Sequence, residues 1–492
     1  MKTPFITAVR RESRAFLSRG RIIALAFAVL TTVLFGLLLA FVTRSTCSEG
    51  TVEVACPTDP VGPQGKGVSD QFFFAHRPLG TTGTLTVRLT SMTGIITYPP
   101  PNHDEIVSGL VPWAKTGIMI KDGVDQGSSY AAVMMTGSHG VHMQDDYVHD
   151  TAGSPSSGSP RWLRLTRDGG TITGFESADG VSWAQIGTAH LSLPETVQIG
   201  LFATSPGDLT LRHIGLGASA PEDRFTQATG SFDNVVLDGA PVADWRAEPV
   251  GGMGHTDWEK FHRAPGLVVE GGTFTVTGSG DVGPLGTASR HAVEDTLIGL
   301  VFGLIIVLTV AVRFATRQPG ALGAKAVVVG AAGFLTGLVT AGVAVPVGTL
   351  AMRSAGSTFG PVSVLTELGL IVGVAGLVAV TAVFAFALGA LVKRAWVAVP
   401  VAIVAVVVPY VLATVPLFPD TVADWLLRLT PAAGFGVLQT REEFSQVVAL
   451  YTPWTGYFPL PGWAGFAVLC AYAALLLGFA LRRSRTAEPD WR

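Results

Sequence analysis

Residues 368–392 read LGLIVGVAGLVAVTAVFAFALGALV, 25 residues without one charge. As a helix rising 1.5 Å per residue, such a run covers roughly 30 Å of hydrocarbon. Five more uncharged apolar runs, 22–42, 296–312, 326–352, 395–419 and 462–481, have the same character. The chain as a whole follows them. Of its 492 residues 48% are hydrophobic and only 14% charged, and its mean hydropathy is +0.45, where soluble domains carry about 25% charged residues. Disorder, collagen and a small disulfide scaffold are excluded, and six membrane spans are expected.

Orientation follows from Lys and Arg in the short flanks. Lys2, Arg10, Arg11, Arg14, Arg19, Arg21, Arg313, Arg317, Lys325, Lys393, Arg394, Arg482, Arg483, Arg485 and Arg492 fall on one side if the spans alternate, and only Arg353, Arg428 and Arg441 occupy the short loops of the other. Both termini are therefore expected in the cytoplasm of a bacterial plasma membrane, with residues 43–295 extracellular. That long segment holds all 10 histidines and 28 of the 36 acidic residues, with a net charge of −13, whereas an anionic inner leaflet attracts the basic flanks. A cleaved signal peptide would have a shorter apolar stretch. A lipoprotein would need small residues before Cys47, where Arg44-Ser45-Thr46 stand. An uncleaved first span is expected.

Between the first two spans the period changes to two. Thr84-Leu85-Thr86-Val87-Arg88-Leu89 alternates as a half-buried strand does. Residues 114–121 and 130–135 are strand-length. Residues 162–167 and 171–176, around Asp168-Gly169-Gly170, read as a hairpin, with Asp179-Gly180 turning the chain again. Short strands with Gly-rich turns predict a β-sandwich or jelly roll.

Trp113-Ala114-Lys115-Thr116-Gly117-Ile118-Met119-Ile120-Lys121-Asp122, Tyr130 to Gly137, Trp162-Leu163-Arg164-Leu165 and Asp179-Gly180-Val181-Ser182-Trp183 resemble the concanavalin-like (laminin-G-like) jelly-roll domains of the regulation-of-enolase type. In that family a segment like 272–281 comes before one like 70–79, and here it comes almost two hundred residues after. The resemblance therefore implies a circularly permuted jelly roll in which residues 265–285 supply strands that the N-terminal part lacks. Permutation suits an insertion between two membrane helices, which needs its ends close together.

Within this domain Trp113, Asp145, Asp146 and Tyr147 are candidate ligand-binding side chains, with the rings of Trp113, Tyr147 and Trp183 as sugar platforms, although tryptophan in a sandwich more often belongs to the core. His139 to Asp150 is dense in metal-capable groups, but the odd spacing of His139 and His142 would put them on opposite faces of a strand, so no metal is expected. Cys47 and Cys56, nine apart in an oxidising compartment, are expected to form a disulfide. Cys470 reads as a small buried hydrophobe.

Phe5, Ile6, Val9, Phe16 and Leu17 share one face of a helix whose other side carries Arg10, Arg11, Arg14, Arg19 and Arg21, an interfacial arrangement. Glu367 is the acid nearest to the inside of a span and a candidate pathway residue. With six spans, this helix, the Gly-rich start of the third span (Gly323 to Gly330) and the segments Leu429-Thr430-Pro431-Ala432-Ala433-Gly434-Phe435 and Gly456-Tyr457-Phe458-Pro459-Leu460, the chain resembles the type-2 ABC exporter permeases of high-GC Gram-positive (actinobacterial) bacteria.

The resemblance implies a dimeric pathway, made with a second permease copy or homologue and driven by a separate ATPase chain, which would hold the ATP and Mg²⁺. The cytoplasmic pieces total about 47 residues, too few for a nucleotide-binding domain, and no Gly-x4-Gly-Lys-Ser/Thr occurs. Relatives have a longer basic segment between the second and third spans than the 313–325 stretch found here, so Arg10, Arg11, Arg14, Arg313 and Arg317 are the expected ATPase-coupling residues. The expected division is a cytoplasmic helix (1–21), a first span (22–42), a stalk (43–65), a jelly roll (66–290), a five-span bundle (291–481) with an outer helical loop at 420–461, and a tail (482–492). The competing reading is a membrane-anchored recognition protein whose jelly roll binds cell-wall glycan. An enzyme is least expected, since no catalytic arrangement can be placed, and nothing calls for nucleic acid.

Overall fold

A computed structural model describes residues 3–42, 47–49, 52–54, 58–97, 105–155, 158–215, 218–241, 243–252, 265–286, 291–317, 321–356, 362–416 and 418–486. A helical bundle carries a β-sandwich inserted after its second helix. The helices are α1 (Thr3–Phe16), α2 (Arg19–Val42), α3 (Leu300–Arg317), α4 (Leu322–Ser354), α5 (Val364–Val392), α6 (Ala395–Thr414), α7 (Asp420–Leu429) and α8 (Gly462–Thr486). All except α1 and α7 are long and apolar enough to cross a membrane.

Helix ends depart from the apolar runs for local reasons. The 296–312 run starts before its helix, because Val293–Leu297 forms a 3-10 turn whose Asp295 accepts from Ala292 N at 2.8 Å. The helix is displaced toward the C-terminus and ends at Arg317. Arg313 and Lys325, expected to bound a connecting segment, lie instead within α3 and α4. Ser363 starts α5 by accepting from Thr366 N at 3.1 Å, and Lys393 stops it at φ 60°. Helices α4 and α5 approach closely through small residues. A Cβ built on Gly337 would lie 2.8 Å from Ala375 Cα, so any larger residue forces the pair apart.

The sandwich consists of antiparallel sheets. One has the strand order His149–Ala152, Val141–Asp145, Tyr130–Thr136, Lys115–Lys121, Val197–Thr204, Phe72–Leu79, Arg246–Val250. The other runs Ala184–His190, Thr171–Ser177, Arg161–Asp168, Thr82–Thr97, Thr226–Asp238, Thr273–Gly278, Gly266–Glu270, with Ile106–Ser108 also on Thr82–Thr97. Leu85, Val87 and Leu89 point into the core between the sheets with Ile118, Ile120, Val133, Leu163 and Leu165, as the period-two reading requires.

The first sheet is buried on its second face too. Phe72, Phe74, Met119, Tyr130, Ala132, Met134 and Phe202 form a second core there with Val68, Tyr147 and Val282. What covers this face is a two-stranded ladder made from the two ends of the inserted segment, with Val68 to Asp70 paired to Val282 to Pro284. The ends of the insertion therefore meet, and residues 266–284 complete both the second sheet and this cap.

Candidate functional site

The β domain meets the bundle at a junction rich in paired charges. The 3-10 turn places Glu294 and Asp295 just ahead of α3, opposite Arg441 in the segment between α7 and α8. Arg441 Nε donates to Glu294 Oε1 at 3.2 Å, its Nη2 to Asp295 Oδ2 at 3.4 Å, and its Nη1 to the Thr455 carbonyl at 2.8 Å. The Thr440 hydroxyl donates to the other Glu294 oxygen, and His291 Nδ1 lies 3.5 Å from Asp295 Oδ2. Burial pushes the Glu294 carboxyl above the ordinary carboxylate range, with Thr440 and Arg441 pulling the other way.

Two further ties span the junction. Lys66 Nζ donates to Glu442 Oε2 at 2.5 Å and stands 5.7 Å from the centre of the Phe444 ring. Gln446 Nε2 donates to the Val148 carbonyl at 3.2 Å. Between these ties lies a cavity of about 340 Å³, with walls from the β domain (Gln64 to Gly67, Val148), from the entry to α3 (His291 to Val293), from the start of α5 and from the Thr440 to Phe444 segment.

Sequence reading counted Arg441 only as a charge on its side of the membrane and passed over Glu294. The signal available was an acidic pair directly before a span and a lone Arg in an otherwise acidic loop. Glu367 sits half-buried in the first turn of α5, next to the cavity-lining Thr366, and so at the β-domain end of its span.

At the far end of the bundle, α1 packs on the spans. Phe16 and Phe314 meet edge to face at 5.1 Å, and Arg21 lies 4.9 Å over the Phe314 ring while donating to the Ala15 carbonyl at 2.6 Å. Lys325 Nζ approaches the same ring at 4.9 Å. Glu12 is buried and pairs with Arg11 at 3.0 Å. Arg10, Arg11, Arg14, Arg313 and Arg317 all remain exposed.

Two of the four candidate ligand-binding side chains of the β domain lie in its core. Tyr147, expected as a sugar platform, is fully buried. Its hydroxyl donates to Asp70 Oδ2 at 2.7 Å, beside Lys121 Nζ at 3.0 Å, and burial holds its proton far above the usual tyrosine range. Trp113 is 8% exposed and stacks on His139 at 4.1 Å. Asp146 accepts from Ser129 Oγ at 2.5 Å, and Asp145 is paired with His149 Nδ1 at 2.8 Å. Trp113 and Tyr147 are thus core side chains, while Asp145 and Asp146 are half-buried and hydrogen-bonded.

His142 bonds Asp150 at 2.8 Å, and among the described residues no group of three or more His, Cys, Asp or Glu is arranged to hold a metal ion. The Cys47–Cys56 pairing falls outside the described residues, since Cys56 is not among them. Cys470 is a half-buried free thiol on α8.

No family model matches the chain. No curated protein matches it either. Among solved structures, similarity is found to a functionally unknown protein from Saccharomyces cerevisiae, at 16% identity and a TM-score of 0.21, over 40% of this chain and 93% of that one. The GH43 protein BlXynB from Bacillus licheniformis is similar at 12% identity and a TM-score of 0.19, over 29% of this chain and 26% of its own. Its mutant gives a TM-score of 0.18 over the same shares.

Proposed function

We propose that this chain is the permease subunit of an ATP-driven exporter of the type-2 ABC class, forming a dimeric pathway with a second copy or homologue. In this reading the termini are cytoplasmic, the β domain faces outward from a bacterial plasma membrane, and a separate ATPase supplies the ATP and Mg²⁺ chemistry. The observation that carries it is the far-end face of the bundle. An anchoring helix needs only to lay an apolar stripe in lipid. Helix α1 instead buries Phe16 and Glu12 against the spans and leaves Arg10, Arg11 and Arg14 exposed, alongside Arg313 and Arg317 at the end of α3. A helix fixed in this way passes a push from a docked protein into the bundle.

Six spans exceed what an anchored recognition protein needs, and of that reading's three expected sugar platforms Tyr147 and Trp113 are buried while Trp183 stays half-exposed. Purification from native membrane in mild detergent, followed by mass spectrometry, should recover a P-loop ATPase. The triple variant Arg10→Glu, Arg11→Glu, Arg14→Glu should lose that partner at unchanged membrane level. Repeated recovery without any P-loop protein, with function intact in a strain lacking the partner ATPase, would overturn the proposal.

A further inference from the structure

The junction cavity has the size of a small-molecule site, which starts at about 300 Å³, and its charge pattern restricts what can enter. Lys66 is spent on Glu442, and Arg441 on Glu294 and Asp295. His291 faces Asp295. Three carboxylates stand against two cations, which disfavours an anionic ligand, and drawing Arg441 out of its largely buried pairs would leave Glu294 and Asp295 uncompensated. The remaining lining is apolar, from Val148, Leu285, Val293, Val362 and Phe444, with the Ser363 and Thr366 hydroxyls and the Gln64 amide as hydrogen-bonding groups. The rim at Val362 continues into Val364 and Leu365, which are 71% and 81% exposed at the start of a span, so the mouth adjoins lipid.

We infer that the cavity binds one membrane lipid with a neutral or zwitterionic headgroup, drawn from the leaflet on the β-domain side, with the headgroup among the junction's paired charges. Because its walls come from both the β domain and the bundle, the bound lipid bridges the two. The inference does not depend on the exporter reading, and its test uses the full-length chain purified without any ATPase.

The chain is placed in lipid nanodiscs containing a trace of phosphatidylcholine whose photoactivatable group sits at the glycerol end of the acyl chain, next to the headgroup, or the phosphatidylglycerol counterpart, and cross-links are mapped by mass spectrometry. The phosphatidylcholine probe should label peptides containing residues 64–67 and 440–444 above the general labelling of the exposed α2 face. Thr366→Trp and Val148→Trp, which fill the cavity from the bundle and from the β domain, should each lower that labelling roughly tenfold or more, as a loss of about 1.4 kcal/mol does, with α2 labelling unchanged. If Thr366→Trp is not monodisperse on gel filtration, Val148→Trp decides. Cavity labelling that tracks α2 labelling in every variant marks bulk lipid only and overturns the inference, as does equal or stronger labelling by the anionic probe.

Discussion

At the scale of single residues, the β domain depends on two fully buried lysines. Lys121 is fully buried and donates to Asp70 Oδ2 at 2.8 Å, while Gly127 N donates to the same oxygen. Lys115 is likewise buried and reaches Asp281 Oδ1 and the Val282 carbonyl, both at 2.6 Å. Each lysine ties the first sheet to one strand of the cap, so the ion pairs fix where the insertion's ends lie. Removing one partner leaves the other charge buried and uncompensated, and Lys121→Met should destabilise the domain by roughly 3–5 kcal/mol. Tyr147→Phe removes only hydrogen bonds and should cost about 1–3 kcal/mol. Chemical denaturation of both variants tests this, and equal losses would contradict the assignment. Glu294 gives a pH-dependent counterpart at the junction. Its native carboxyl keeps a proton to higher pH than an unfolded one, whose value is about 4.3, so its stabilising contribution is complete below that pH and is lost as pH rises through the native value. Glu294→Gln stays neutral throughout. Its unfolding midpoint, compared with that of the wild type, should shift in the variant's favour as pH rises from about 4.3, and a flat or opposite trend would show that burial does not dominate at this carboxyl.

At the scale of elements, what could be read in the sequence divides by how local its cause is. The alternation at 84–89 and the turn at Asp168-Gly169-Gly170 are set by neighbouring residues, and both appear where expected, Gly169 with φ 59°. The segment 115–121 reads as continuously apolar apart from its lysines because the sheet is buried on both faces, which the sequence displays without revealing what lies on the second face. Residues 431–438, within the expected outer helical loop at 420–461, form a 3-10 turn almost wholly buried against α8, because Ala, Gly and Pro permit an approach that larger side chains would block. Tyr147 was misread because its partners Asp70 and Lys121 are 77 and 26 residues away. Completion of the sandwich by residues 266–284 leads to a sharp expectation. Thr273–Gly278 pairs with Thr226–Asp238, and Val276 and Val282 are fully buried. The fragment 66–285 should therefore unfold in one cooperative step. The fragment 66–239 would expose Phe232 and Phe72, and it should be molten or insoluble. A well-folded 66–239 fragment, with dispersed amide spectra and a sharp melting transition, would show that the late strands are an accessory.

At the scale of the whole molecule, the two ends of the bundle differ in their basic residues, and the expected orientation rests on this difference. One end carries exposed Arg10, Arg11, Arg14, Arg313 and Arg317 with few acids near them. At the other, Arg441 and Lys66 are each matched by carboxylates, leaving little net positive charge beside the membrane. Membrane insertion retains Lys- and Arg-rich flanks on the cytoplasmic side, and an anionic leaflet adds about 1 kcal/mol for each Lys or Arg near its surface. The bias follows the count of Lys and Arg rather than net charge, and the short loops at the β-domain end hold only Arg353, Arg428 and Arg441. The basic end should thus be cytoplasmic and the β domain external, whether or not the chain transports anything. The test uses a chain whose native cysteines are replaced, with one new thiol introduced at a time. Val181 is 82% exposed on the sandwich, and Val181→Cys should react with a membrane-impermeant maleimide in intact cells. Ser18 is exposed between α1 and α2, and Ser18→Cys should react only after the cells are permeabilised. The reverse pattern would place the basic end outside and remove the surface on which an ATPase is expected to dock.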